Sequence, residues 1–149
     1  MSYKSDLYQQ VILDHNRKPR NFHAMQGATH TCEGFNPLCG DRLTVYLKLN
    51  PAGVIDEVSF TGSGCAISKS SASMMTSNLK GKTEAQAREM LASFRKMVTG
   101  EAENADEERL GKLSIFTGVK EYPSRVKCAT LAWHTMACAL DRSGSTTSD

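Results

Sequence analysis

The sequence contains no hydrophobic segment long enough to direct export or to cross a membrane. Residues 1–6 lack the apolar core of a signal peptide, and no run of about eighteen apolar residues follows. No asparagine stands two positions before a serine or threonine, so the chain has no glycosylation sequon. We therefore expect a cytoplasmic protein without a membrane partner, and we expect its cysteines to be reduced.

Neither sign of charge dominates the chain. Eighteen Lys and Arg against sixteen Asp and Glu leave a net charge of +2, which is too balanced for nucleic-acid binding by charge alone. The 149 residues, 40% of them hydrophobic, are enough for one core and too few for two. We expect a single domain over 1–149, with the Ser-, Thr- and Gly-containing residues 142–149 as a disordered tail.

Alternating hydrophobicity predicts a sheet in the first half of the chain. Residues 43–49 alternate between apolar and polar side chains, and turn residues at 50–53 lead into a second strand over 54–61. A third strand is expected over 29–35, because a hairpin alone is not stable in water. The predicted fold is α+β, a three-stranded antiparallel sheet with helices packed on one face.

Helical periodicity predicts the other elements. The expected helices cover residues 3–16, open at Cys65, run from the capping-box pair Thr83 and Gln86 to Gly100, and start again with Ser124 as N-cap. Arg17, Lys18 and Arg20 follow the first helix as a basic patch, which is either a solvated helix end or a docking surface.

The five cysteines include no Cys-x-x-Cys pair, and the chain has no His-Glu-x-x-His motif. The missing pair excludes zinc ribbons, thioredoxin-like redox sites and ferredoxin-type cluster binding. Gly62-Ser63-Gly64 begins like a dinucleotide-binding fingerprint, but Ile67 occupies the position of its third glycine. A nucleotide site is therefore not expected.

Three cysteines lie near the start of predicted elements. Cys39 precedes a strand and faces the same way as Asp41, because residues i and i+2 of an extended chain share a direction, and Gly40 allows the chain to bend. Cys65 opens a helix and Cys128 lies near the start of another, where the helix amides favour a thiolate. These four ligand-type residues, Cys39, Asp41, Cys65 and Cys128, form a candidate metal site.

Three thiolates and a carboxylate make a complete tetrahedral set for zinc. Such a site would be negatively charged, and Arg125 or Lys127 would help to balance it. The oxygen of Asp41 is the weakest attachment for a soft ion, so we expect it to exchange when the site reacts. The alternative is that these cysteines are ordinary core residues, since free cysteine is often buried.

Cys32 and Cys138 fit the core alternative better. Cys32 lies in the middle of a predicted strand without an adjacent glycine, and Cys138 lies about 15 Å beyond Cys128 along the helix. His134, six residues after Cys128, points elsewhere around that helix. We expect both cysteines to be structural thiols outside the site.

Four segments resemble the SufU-type iron–sulfur cluster assembly proteins of the IscU-like family. They are ILDHNRKPR at 12–20, NPLCGD at 36–41, GSGCAIS at 62–68 and RVKCATLAW at 125–133. The resemblance extends from about residue 3 to residue 141, and the three cysteine motifs occur in the family's order.

Three departures from the scaffold branch of that family resemble the SufU branch. The scaffold branch has a histidine immediately before the third cysteine, where this chain has Lys127. Its Leu-Pro-Pro-Val-Lys chaperone motif is replaced here by YPSRVK at 122–127. The segment between Cys65 and Cys128 is also longer than in the scaffold branch.

The resemblance implies zinc held by Cys39, Asp41, Cys65 and Cys128, and transfer of persulfide sulfur from a SufS-type cysteine desulfurase to downstream cluster-assembly proteins. It further implies that a histidine of the desulfurase displaces Cys39 from zinc, so that Cys39 accepts the sulfur. An alternative is a scaffold on which a transient iron–sulfur cluster is assembled. A purely structural zinc module is disfavoured, because the chain is large enough to fold without metal.

Overall fold

The computed structural model describes residues 3–101, 110–141 and 145–147. The elements follow in the order α1 (Tyr3–Arg17), β1 (His30–Asn36), β2 (Asp41–Leu49), β3 (Ile55–Ser63), α2 (Ala66–Leu79), α3 (Glu84–Thr99), a 3₁₀ helix (Gly111–Val119), α4 (Pro123–Asp141) and β4 (Ser145–Thr147).

The sheet has the strand order β3-β2-β1-β4. Both β1–β2 and β2–β3 are antiparallel, which confirms the predicted three-stranded antiparallel arrangement. The alternation in β2 has the expected effect, because Leu43, Val45 and Leu47 are all buried. The helices α2 and α4 cover this apolar face, so the α+β fold predicted from the sequence is confirmed.

The strand β4 was not predicted. It pairs parallel with β1, placing Ser145 opposite Glu33 and Thr147 opposite Phe35. These residues belong to the segment that the sequence predicts to be a disordered tail, and the rest of that segment lies outside the described residues. The sequence does not show this pairing, because it depends on the position of β1 at the edge of the antiparallel part of the sheet. Without β4, that edge of β1 would present a row of unpaired backbone groups, which favours pairing with an extended segment.

The predicted helix boundaries hold except at α4. Thr83 and Gln86 form a complete capping box at α3, and Gly100 ends that helix in the left-handed conformation. The prediction of Ser124 as an N-cap is wrong, because α4 already begins at Pro123. Proline suits the first helical position, where its missing N–H leaves no hydrogen bond unmade.

The apolar stripes of the helices form the core, as their spacing predicts. Trp133 of α4 is buried and stacks on Phe94 of α3 with ring centroids 4.7 Å apart. Phe116 of the 3₁₀ helix packs edge-on against Phe94. The methionines of the α3 stripe, Met90 and Met97, lie in the same buried cluster.

One expectation about the cysteines is wrong. Cys32 and Cys138 are buried as predicted, but they form a disulfide instead of remaining as two reduced thiols. The sequence does not show that β1 and α4 lie against each other, with Cys32 and Cys138 at the point of contact. The disulfide joins positions 106 residues apart.

Within the part of the chain that the structure describes, no helix combines the length and hydropathy needed to cross a bilayer.

Candidate metal centre

Three parts of the fold bring ligand atoms together at one end of the sheet. The Sγ atoms of Cys39 and Cys128 and a carboxylate oxygen of Asp41 all lie within 4.8 Å of one another. Cys39 belongs to the turn before β2, Asp41 is the first residue of β2, and Cys128 lies in α4. Three of the four predicted ligands therefore lie together, and the fourth, Cys65, contacts Asp41 from outside this group.

Cys39 is presented by a tight turn that Asn36 organises. The backbone N–H of Gly40 donates to the carbonyl of Asn36 at 2.8 Å, and the N–H of Leu38 donates to Asn36 Oδ1 at 3.2 Å. Gly40 has φ 73°, a conformation that favours glycine, so it provides the bend expected between Cys39 and Asp41. The turn leaves Cys39 exposed.

Asp41 is almost completely buried, with 1% of its surface exposed. Its Oδ1 accepts from the backbone N–H of Cys65 at 2.8 Å, and its Oδ2 accepts from Ser68 Oγ at 2.9 Å. A Cβ on Gly64 would lie 2.9 Å from Oδ1, so glycine is what lets the loop approach the carboxylate so closely.

The buried carboxylate is suited to a metal ion. In the described ranges, no lysine or arginine forms an ion pair with Asp41. Buried charges in proteins are normally paired or coordinate a metal. A divalent cation between Asp41 and the neighbouring thiols would supply that missing positive charge, and the mixed sulfur and oxygen donors match the ligands that zinc accepts.

Cys65 is the N-cap of α2, and its Sγ accepts from the backbone N–H of Ser68 at 3.4 Å. Its Sγ lies 3.8 Å from Asp41 Oδ2, but it is not within 4.8 Å of all three atoms in the group above. A hydrogen bond from Cys128 lowers the pKa of Cys65 to about 6, with help from the first amides of the helix and against the effect of burial. The predicted thiolate at this helix start agrees with that direction.

Cys128 behaves in the opposite way. It is buried, 3.4 Å from Cys39 Sγ and 3.8 Å from Asn36 Nδ2. Donating to Cys65, together with burial, raises its pKa. The expectation of a thiolate favoured by the helix start is wrong here, because the hydrogen bond to Cys65 and burial outweigh any effect of the helix amides. In the metal-free site, Cys65 is therefore the first of these two thiols to ionise.

The two cations expected near the site are placed differently. The guanidinium of Arg125 is exposed and lies over the ring of Tyr122, 4.5 Å from its centroid. Lys127 is half-buried on α4, next to Cys128. Within the described residues neither is paired with Asp41.

Two functional positions are not evident from residue type alone. Asn36 is fully buried and links the Cys39 turn to Cys128. Ser68 is also fully buried and links Asp41 to the carbonyl of Cys128, with hydrogen bonds of 2.9 and 3.4 Å. The dipeptide Asn36-Pro37 is a turn signal, whereas the role of Ser68 depends on where α4 packs.

The comparison with known families agrees with this geometry. The model of the NifU-like N-terminal domain matches residues 7–129, a range that contains every ligand-type residue of the candidate site. The chain belongs to this family.

Relatives within this family have two different functions. The zinc-dependent sulfurtransferase SufU of Bacillus subtilis is 40% identical over 136 residues, which are 89% of this chain and 90% of that protein. The iron–sulfur cluster assembly scaffold protein IscU of Streptococcus pyogenes is 34% identical over 145 residues, 97% of this chain and 89% of that protein.

A solved structure in the family has the same fold. It is a protein of Fervidobacterium islandicum AW-1, described as a candidate iron–sulfur cluster assembly scaffold protein for the SUF system. It superposes with a TM-score of 0.83 and 36% identity, covering 91% of this chain and 97% of its own. The likeness to SufU and IscU proteins inferred from the cysteine motifs is therefore confirmed.

Proposed function

We propose that this chain is a zinc-dependent sulfurtransferase of iron–sulfur cluster assembly, which takes persulfide sulfur from a SufS-type cysteine desulfurase. The observation that carries the proposal is the difference in exposure within the site. Cys39 is exposed, Cys65 is half-buried and Cys128 is buried. A partner protein therefore has access to the Cys39 thiol while the residues behind it hold the metal.

The proposed zinc ligands are Cys39, Asp41, Cys65 and Cys128. Bound zinc would keep the thiols deprotonated and protected, because a coordinating thiol gives up its proton. Ser68 and Asn36 then hold Asp41 and Cys128 from behind, as the partners of metal ligands usually do. Cys65, whose Sγ lies 3.8 Å from Asp41 Oδ2, would supply the fourth ligand atom.

We propose that Cys39, and not Asp41, is the ligand that dissociates from zinc during the reaction. The sequence favours Asp41, because oxygen is a weak attachment for a soft ion among thiolates. In the structure Asp41 is buried and accepts two hydrogen bonds of 2.8 and 2.9 Å, so its movement is costly. Cys39 lies on an exposed turn and leaves at lower cost.

The transfer step needs no external oxidant. The Cys39 thiolate attacks the outer sulfur of the desulfurase persulfide, forming a new S–S bond at Cys39 Sγ. The S–S bond of the donor breaks, and the desulfurase cysteine leaves as a thiolate. A second exchange of the same kind passes the sulfur to a downstream cluster-assembly protein and restores Cys39.

Assembly of a transient iron–sulfur cluster is the second candidate function. The observation that favours it is the position of Cys65 outside the compact group formed by Cys39, Asp41 and Cys128. An opening with a separate fourth ligand suits a cluster as well as a single ion, and thiolates are the usual cluster ligands. Lys127, where the scaffold branch has a histidine, favours sulfur transfer.

We further propose that the chain acts in the cytoplasm as a single domain over residues 1–149. The disulfide is compatible with a reducing compartment because Cys32 and Cys138 are 1% and 7% exposed. Reduction requires attack by a thiolate, and attack depends on access.

The proposal is tested on protein purified without oxygen. Bound zinc and iron are measured, and turnover of a SufS-type cysteine desulfurase is followed with and without the protein. We expect zinc, strong stimulation, and a persulfide on Cys39 detected by mass spectrometry. Cys39→Ser should lose the persulfide and the stimulation, while the matched variant Cys32→Ala/Cys138→Ala keeps both.

Other outcomes select the alternatives. Iron and sulfide with visible absorption would establish the scaffold instead. Zinc without stimulation of the desulfurase would leave a structural zinc module. A persulfide on Cys65 or Cys128 in the wild type, with none on Cys39, would refute the assignment of the acceptor.

A further inference from the structure

A buried hydroxyl on α1 has no hydrogen-bond partner among the described residues. The oxygen of Tyr8 is inaccessible to solvent, and no described residue forms a hydrogen bond with it. The ring itself is well packed, edge-on against Phe116 with centroids 6.0 Å apart. A buried hydroxyl without a partner is unfavourable, and a phenylalanine would give the same packing. The hydroxyl therefore points to an acceptor outside the described residues.

The packing of α1 on α2 shows where this hydroxyl lies. Ser70 Oγ donates to the carbonyl of Ile12 at 2.8 Å, and His15 Nδ1 lies 2.7 Å from Ser73 Oγ. Both pairs have a sequence offset of 58, so the two helices run parallel in a fixed register. By the same offset, Tyr8 on α1 lies beside Ala66 on α2, the residue after Cys65. Tyr8 is thus level with the N-terminus of α2, where the candidate metal centre lies.

The electrostatic surroundings of Tyr8 agree with that position. Burial raises the pKa of its hydroxyl, Arg125 lowers it, and Cys65 and Cys128 raise it further when they are ionised. Tyr8 therefore lies close enough to these thiols to be affected by their charge, and its hydroxyl stays protonated. A protonated phenol beside anionic sulfur is a hydrogen-bond donor, and bonds to charged acceptors are the stronger ones.

We propose that Tyr8 is a sulfur-binding residue, whose hydroxyl donates a hydrogen bond to the anionic outer sulfur of the persulfide carried at the site. The inference rests on the proposed function, because the acceptor is the transferred sulfur itself. The bond forms only when sulfur is loaded, which explains why the hydroxyl has no partner among the described residues of the unloaded protein. It holds the outer sulfur inside the site and slows its loss to solvent thiols.

The test compares two hydroxyl deletions. Tyr8→Phe keeps the ring against Phe116 and removes only the donor. Tyr46→Phe is the matched control, because it removes the Tyr46 hydroxyl, which lies 3.3 Å from Thr61 Oγ1 on the sheet. Each protein is loaded by a SufS-type desulfurase with cysteine, and release of the sulfur by dithiothreitol is followed by mass spectrometry. We expect release about tenfold faster from Tyr8→Phe and unchanged from Tyr46→Phe.

A second measurement distinguishes sulfur binding from a structural role. In protein carrying ¹³C-labelled tyrosine, the Cζ resonance that disappears in Tyr8→Phe should shift when the wild type is loaded with persulfide. Release from Tyr8→Phe at the wild-type rate, or a Tyr8 resonance that does not move, would overturn the inference and leave the proposed function intact. A wild type that accepts no sulfur removes the proposed function, and with it the acceptor for Tyr8.

Discussion

The three buried cysteines of this chain, Cys128 and the disulfide pair Cys32 and Cys138, differ in their partners and not in their burial. Cys128 in the candidate metal centre is 3% exposed, and Cys32 and Cys138 in the disulfide are 1% and 7% exposed. Cys128, however, contacts the thiol of Cys39 and the amide of Asn36. The disulfide sulfurs bond to each other and lie among apolar residues.

The comparison shows that a buried thiol with polar neighbours stays free to react, whereas two buried thiols among apolar residues form a disulfide. Near Cys128, buried polar groups donate hydrogen bonds to the site: Asn36 donates to Cys128 Sγ, and Ser68 donates to the carboxylate of Asp41. The disulfide joins β1 to α4. The same two elements contribute Asn36 and Cys128 to the candidate metal centre. We therefore expect the disulfide to determine stability and the other three cysteines to determine function.

The largest predicted effect breaks the disulfide alone. Cys32→Ala/Cys138→Ala should lower the free energy of unfolding by about 4–5 kcal/mol, the loop-closure value for a loop on the order of 100 residues, because the bond joins positions 106 residues apart. Guanidinium unfolding measures the loss, and zinc content should not change.

Counting accessible thiols checks the same division. Alkylation of the unfolded protein without reductant should modify Cys39, Cys65 and Cys128, and alkylation after reduction should modify all five cysteines. Five modified cysteines before reduction would show that the division into two groups is wrong. Unchanged stability of the double variant would show that the disulfide does not constrain the fold.

A smaller effect is expected where glycine lets Asp41 approach the α2 loop. Gly64→Ala places a Cβ 2.9 Å from Asp41 Oδ1, and the buried carboxylate must move away from the Cys65 amide. Zinc affinity should fall about 10- to 100-fold, as it does when the support of a ligand is lost, and competition with a chelator measures it.

Gly118→Ala is the control for this substitution, since no atom lies within 4 Å of the position that its Cβ would occupy. The control should bind zinc as the wild type does. Equal affinity of the two variants would mean that the position of Asp41 does not govern metal binding.

The last prediction concerns the ionisation of the metal-free site. Because the pKa of Cys65 is lowered from 9.0 to about 6, its thiolate favours the folded state at pH values above 9, and this contribution disappears as the pH falls from 9 to 6. The raised pKa of Cys128 acts in the opposite direction, since its contribution is lost as the pH rises above 9. The two contributions act in different pH ranges, so stability should rise between pH 6 and pH 9 and fall again above pH 9.

Thiolate absorbance in the ultraviolet isolates the Cys65 transition. Metal-free Cys39→Ser should show a titration near pH 6, and Cys39→Ser/Cys65→Ser should lack it. The disulfide contributes no thiolate in either protein. A transition near pH 6 that persists without Cys65 would assign the first ionisation to another group.

Much of the fold and of the site could be predicted from the sequence, because the patterns involved are local. The alternation of residues 43–49 indicated β2, and the capping box of Thr83 and Gln86 marked the start of α3. The position of Cys65 at a helix start predicted the lowered pKa. The direction of the Cys128 pKa was predicted wrongly, because the hydrogen bond to Cys65 and the burial that raise it depend on tertiary packing.

The sequence by itself determined the strands, most helix boundaries and the chemical types at the candidate site, because these depend on residues a few positions apart. Only the tertiary structure decided that Cys32 pairs with Cys138, that Ser68 supports Asp41, and that Tyr8 lies level with α2. These facts depend, in turn, on how α4 packs on β1, how α2 lies against the start of β2, and how α1 packs on α2. Such distances are set by the packing of side chains far apart in sequence, and no local pattern encodes them.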